Sequence, residues 1–176
     1  MPSAARTAAA CRIAQLDRQK FNDLMASGEY ECAPKTKPGV ARVFEIPDLI
    51  ALVLFTQLTE KGRTIRQASE IACRIRTTVE SFPDTSHVAI AYTINGPSFS
   101  CRIEDANPTA GFSGSKPVLW TELWNVANLR ETVLRGLEEE ARIVGGGEEI
   151  SEARERYLSG EITRDEFMAV VENGGE

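Results

Sequence analysis

Three side chains able to read a base edge, Arg18, Gln19 and Asn22, lie close together in the stretch Arg18-Gln19-Lys20-Phe21-Asn22-Asp23-Leu24-Met25-Ala26-Ser27. Arginine offers a fork of donors. Glutamine and asparagine each offer a donor beside an acceptor, which complements a purine edge. Cations stand nearby in the chain: Lys20, then Lys35 and Lys37 in Pro34-Lys35-Thr36-Lys37-Pro38-Gly39, then Arg42 in the extended Val40-Ala41-Arg42-Val43-Phe44. Such groups suit phosphate oxygens.

Other chemistries are thinly supplied. The run Glu138-Glu139-Glu140, with Glu148, Glu149 and Glu152, could do acid–base work only if burial or crowding shifted a pKa; a solvated acidic surface is expected. His87, beside Ser86 at a strand entry, reads as a surface polar residue. Motifs for a nucleophile elbow, a phosphate-cradling loop or a zinc helix are missing, so no catalytic residue, metal ligand or cofactor is assigned and an enzyme is not expected. Cys11, Cys32, Cys73 and Cys101 contain no C-x-x-C pair. Buried, reduced thiols are the expectation, with a redox or metal switch as the alternative.

Local signals place these residues on a mainly α chain with a little β. Asp17 is an N-cap for Arg18–Ser27, Phe21, Leu24 and Met25 form its apolar stripe, and Gly28 stops it. Pro47 opens a helix over Asp48–Lys61, whose Leu49, Leu52, Val53, Leu54, Phe55 and Leu58 require burial round much of the circumference. Thr64 and Gln67 form a capping box for a helix with Ile65, Ala68, Ile71, Ala72, Ile75 and Val79 on one face and Arg63, Arg66, Arg74 and Arg76 on the other. That arginine face is expected to be solvated, with phosphate contact as the alternative.

After Pro83 a hairpin is expected, His87–Ile94 and Phe99–Ile103 about Asn95-Gly96. A long amphipathic helix is expected from Leu119 to about Ile143, carrying Trp120, Leu123, Trp124 and Leu134. This region must pack on the first module or on a second copy of itself. Gly145-Gly146-Gly147 reads as a flexible joint before a helical hairpin that contains Tyr157 and Phe167.

The 176 residues are 42% apolar and 26% charged, which suits a folded chain with a real core. Net charge is −6, divided unevenly: residues 1–80 hold 12 Lys/Arg against 9 Asp/Glu, and residues 81–176 hold 8 against 17. One half can meet phosphates while the other faces water or protein. No apolar run approaches the roughly 18 residues a membrane-spanning helix needs, and no signal-peptide core segment is evident, so a cytoplasmic location without membrane contact is expected.

From the helix before Gly28, through Arg42-Val43-Phe44 and Pro47-Asp48-Leu49 to Leu58-Thr59-Glu60-Lys61-Gly62-Arg63-Thr64-Ile65-Arg66-Gln67-Ala68, the chain resembles the MerR-type winged helix-turn-helix DNA-binding domain, over about residues 7–79. The resemblance implies that Arg18–Ser27 enters the major groove, with Arg18, Gln19, Lys20 and Asn22 at the DNA, and that Lys35, Lys37 and Arg42 lie on a wing along the backbone. Residues 150–172, around Ala153-Arg154-Glu155-Arg156-Tyr157-Leu158-Ser159-Gly160, resemble the short C-terminal module named SHOCT, which implies oligomerisation or a protein contact.

Three parts are therefore expected: a winged helix-turn-helix domain over 1–80, a hairpin and helix for dimerisation or partner binding over 81–144, and a joint with a helical hairpin over 145–176. The implied function is a sequence-specific transcriptional regulator, bacterial or phage-like, bound to double-stranded DNA as a homodimer. Trp120, Leu123, Trp124, Leu134, Tyr157 and Phe167 would make the dimer or receive a protein partner. The rivals are an excisionase-like architectural protein and an adaptor that keeps the fold but binds protein.

Overall fold

A computed structural model describes residues 4–37, 40–94, 98–105, 112–113 and 116–166. Strand β1 (Ala4–Arg6) leads into helices α1 (Thr7–Ile13) and α2 (Arg18–Ser27), then strand β2 (Val43–Glu45) and helices α3 (Ile46–Glu60) and α4 (Ile65–Ser81). Strands β3 (His87–Thr93), β4 (Phe99–Arg102), β5 (Phe112–Ser113) and β6 (Lys116–Asn125) follow, and then helix α5 (Val126–Leu158). The architecture is mainly helical with two small antiparallel sheets, β1-β2 and β4-β3-β6-β5. No helix among the described residues is long and apolar enough to cross a membrane.

Helix α3 is the centre. Every residue from Asp48 to Thr56 is buried, so its apolar sequence needs neighbours on all sides. Helices α4, α1 and α5 and strand β2 pack on it. Its N-terminus is built from polar groups: Asp48 Oδ2 accepts from the Glu45 backbone N–H at 2.9 Å, and Asp48 Oδ1 accepts from Arg76 Nε at 2.5 Å. A carboxylate this deep is tolerated because both oxygens are occupied. Helix α4 opens as the capping box expected of Thr64 and Gln67 and buries Ala68, Ile71, Ala72, Ile75 and Val79.

The hydrophobic cluster runs past residue 80 without a break, because Val88, Ile90, Val126, Leu129, Val133 and Leu137 join the α3 core. The expected hairpin forms, with Val88 opposite Arg102 and Ala91 opposite Phe99; Asn95 and Gly96 lie outside the described residues. The helix expected from Leu119 does not begin there. Residues through Asn125 form β6, which pairs with β3 so that Val88 faces Trp124 and Tyr92 faces Trp120. A four-residue spacing of tryptophans fits period 2 as well as period 3.6. Val118, Trp120, Glu122 and Trp124 alternate as a strand does, and Val, Thr and Trp favour pleated surfaces. Helix α5 starts only after Asn125, whose side chain accepts from the Asn128 N–H at 2.9 Å.

The glycine joint is also corrected. Helix α5 continues through residues 145–147 to Leu158. A helix already nucleated at Val126 propagates through poor formers, each glycine costing roughly 1 kcal/mol against alanine. Gly160, with φ 80°, ends it. Thr163 and Glu166 then exchange hydrogen bonds as a capping box, Thr163 N to Glu166 Oε2 at 2.7 Å and Glu166 N to Thr163 Oγ1 at 3.4 Å.

Gly136 lets α5 approach α1. A Cβ placed on it would stand 3.0 Å from Ile13 Cγ2 and 3.1 Å from Cγ1. Replacing Gly136 with leucine should therefore destabilise the fold by about 1–3 kcal/mol, the usual cost of overpacking, despite better helix propensity. Equilibrium urea unfolding of Gly136→Leu checks this, and unchanged stability would mean that the two helices do not meet so closely.

Candidate nucleic-acid interface

Helix α2 forms where its caps predict. Asp17 Oδ1 accepts from the Lys20 N–H at 2.9 Å, and Gly28 takes the left-handed conformation at φ 72°. Phe21 and Leu24 are buried, with the Phe21 ring edge-on to Phe44 at 5.8 Å. That fixes the other face outward: Arg18, Gln19, Lys20 and Asn22 are all exposed. The turn from α1 is tight. Gln15 N–H bonds to Arg12 O at 3.0 Å and Leu16 N–H to Cys11 O at 2.9 Å, with Gln15 itself at φ 53°. A glutamine thus occupies a backbone position that glycine fills more readily, at a cost of roughly 1 kcal/mol.

Asp23 is a residue that reading for donors passed over. It is exposed on the outward face of α2, where its Oδ1 accepts from Gln19 Nε2 at 2.9 Å. The i, i+4 spacing of a glutamine and an aspartate was the available signal. A base-reading Gln19 must exchange this bond for one to DNA, and Asp23 would meet phosphates unfavourably or accept from a cytosine amino group.

The loop after α2 holds Lys35 and Lys37 exposed. Thr36 Oγ1 donates to Val40 O at 2.8 Å, and Val40 N–H donates to Lys37 O at 3.1 Å, so the loop closes on itself. Arg42 differs from its neighbours. It is half-buried, and its Nε is buried with no hydrogen-bond partner among the described residues. The strand after the loop, β2, pairs with β1, Ala5 opposite Phe44, rather than with a strand of its own loop.

The arginines of α4, and Arg63 just before it, are mostly engaged within the fold. Arg63 pairs with Glu122 at 2.9 Å, Arg74 donates to the Ser98 carbonyl, and Arg76 spans Asp48 and Glu80. Arg66 pairs with Glu70 on an exposed face. The acidic run is corrected at one position: Glu140 is buried, and both its oxygens accept from Arg12, at 2.7 and 2.5 Å. Three residues after Leu137 and seven after Val133, it falls on the buried stripe of α5.

The residues expected at a dimer or partner surface are scattered. Trp120 and Leu123 are 53% and 54% exposed, and the alternation of β6 sets them on opposite faces. Trp124 packs against the core, Leu134 is half-buried, Tyr157 is exposed near the far end of α5, and Phe167 lies outside the described residues. The thiol expectation is corrected for one pair. Cys32, in the loop after α2, is disulfide-bonded to Cys73 of α4, with Cα atoms 5.2 Å apart, while Cys11 and Cys101 are free. Their 41-residue separation left no local signal. The chain matches no protein-family model and no curated relative.

One polar cluster lies on the α4 side of the sheet. Tyr92 stacks on Trp120 at 4.6 Å and donates to Glu122 Oε2 at 3.1 Å, while Arg63 holds the other oxygen. Burial, then the Glu122 carboxylate, push the Tyr92 hydroxyl from 10.0 up to about 12. A folded-state pKa above the unfolded one adds stability that is intact below the unfolded value and lost as pH rises through the folded value. Stability should thus decline from pH 10.0 towards about 12. Following tyrosinate absorbance and helicity together should show Tyr92→Phe with a shallower decline; an identical decline would mean that Tyr92 ionises as freely folded as unfolded.

Proposed function

We propose that this chain is a cytoplasmic, sequence-specific DNA-binding regulator acting as a homodimer, with α2 in the major groove. The reading is carried by one observation: α2 turns Phe21 and Leu24 inward and leaves Arg18, Gln19, Lys20 and Asn22 exposed to solvent. A groove admits one such helix, and these side chains match base edges and phosphates. Lys35 and Lys37 add two exposed cations on the next loop. Arg42, half-buried, contributes less than its sequence position implies. The exposed Trp120 and Leu123 of β6 supply apolar surface for a second copy, and residues beyond Tyr157 supply a contact in the manner of a SHOCT module.

A second reading, an adaptor for a basic protein partner, is favoured by Asp23 on the same face as Gln19. Salt separates the two. Arg18, Lys20, Lys35 and Lys37 are four exposed cations, so log affinity for random duplex should fall against log salt with a slope of about −3.6 per protomer, roughly 0.9 for each phosphate neutralised. Lys35→Glu with Lys37→Glu should weaken binding to all sequences and shrink the slope by about 2 per protomer. Asp23→Asn should strengthen binding to random duplex. Fluorescence anisotropy at graded salt measures all three; a flat salt dependence would overturn the DNA reading.

A further inference from the structure

The segment between α2 and β2 carries Lys35 and Lys37, and burial fixes both its ends. Tyr30 is 1% exposed before it, and Phe44 is fully buried after it. Between these anchors the chain has one covalent fix, Cys32 to Cys73 in the middle of α4, with Cα atoms at a separation usual for a bridge. Alongside it, Glu31 N–H donates to Ser69 Oγ at 3.4 Å, one helical turn before Cys73. Both bonded cysteines are half-buried, and neither is sealed in the core.

The other two cysteines are poor competitors for that chemistry. Burial raises the pKa of the Cys11 thiol, and burial followed by Asp105 raises that of Cys101, so both are held in the less reactive protonated form. Sulfur exchange is thereby concentrated on one pair, located where it restrains the basic loop. In a reducing compartment, a disulfide of this kind is transient or redox-sensing rather than a permanent staple.

We propose that Cys32 and Cys73 form a reversible redox-modification site whose co-reactant is a low-molecular-weight thiol and its disulfide, and that opening it releases the Lys35/Lys37 loop. The thiolate of one small thiol attacks a sulfur of the bridge, breaking the Cys32–Cys73 bond and leaving a mixed disulfide on one cysteine and a thiolate on the other. A second small thiolate attacks the mixed disulfide, frees the remaining cysteine and leaves as the small disulfide. Two electrons pass from two small thiols to the protein, and their two protons finish on Cys32 and Cys73. The reverse sequence closes the bridge. With the bridge closed, the loop meets a phosphate backbone already placed; with it open, the cost of ordering falls at the moment of binding. This effect on affinity rests on the DNA reading, whereas the exchange chemistry does not.

The test equilibrates the full chain in graded mixtures of reduced and oxidised glutathione. Thiol labelling after denaturation should count two free cysteines at the oxidising end, Cys11 and Cys101, and all four at the reducing end. Amide exchange over residues 31–37 and 40–42 should accelerate on reduction while α3 stays protected. Random duplex should bind roughly tenfold more weakly to the reduced form, the scale of an ordering cost moved into the binding step. Cys73→Ser should hold the reduced affinity in every buffer, and Cys101→Ser should respond as the natural chain does. A constant thiol count, equal affinity of the two forms, or loss of α3 protection on reduction would each overturn the proposal. Should neither form bind duplex while labelling and loop exchange still respond, the redox site stands and the DNA reading falls.

Discussion

The burial of α3 on every side is the constraint from which the rest follows. A helix with Leu49, Ile50, Ala51, Leu52, Val53, Leu54 and Phe55 in unbroken succession has no face to give to water. Fully burying each large side chain contributes about 1.5–3 kcal/mol, and that gain is realised only if several elements close round the helix together. Helix α4, strand β2, α1 and the first turns of α5 do so. The buried carboxylate of α3, Asp48, is compatible with this packing because Arg76 and the Glu45 amide occupy its oxygens.

With α3 inside, the elements left at the surface take the functional burden. Helix α2 is attached by few residues, chiefly Phe21 and Leu24, and presents the rest of its circumference outward. The loop that follows leaves the core at Tyr30 and re-enters it at Phe44. Both are mounted on the same core, which a surface for a long, stiff ligand requires. The acidic residues Asp17, Asp23, Glu29 and Glu31 among these cations are equally exposed, so positive charge on this face is concentrated in a few side chains rather than spread.

What the sequence made legible was local. The caps at Asp17, Thr64, Gly28 and Gly62, and the apolar stripes they bracket, set α2, α3 and α4 almost to the residue, because each signal acts within one turn. The outward face of α2 was legible for the same reason. Long-range features were not. The strand β6 carries tryptophans at a spacing common to both periods, and only pairing with β3 decides between them. Glu140 looked like one of three solvated carboxylates until its partner, Arg12, was supplied from the far end of the chain. Cys32 finds Cys73, and the base of the β2 strand finds β1, through chain reversals that no short pattern records. Arg42 belongs here as well: its partial burial comes from how the loop is seated, not from its neighbours in sequence.

The order in which this chain is synthesised has a bearing on the same central helix. Ile46–Glu60 leaves the ribosome before Val133 and Leu137 of α5, which help to cover it and follow only after the four-stranded sheet has been made. In the interval, a leucine-rich apolar run is left open to other nascent chains, the kind of transiently exposed surface through which incomplete folds aggregate. A chain without α5 would therefore keep α1, α2 and α4 and still leave one flank of α3 open to aggregation.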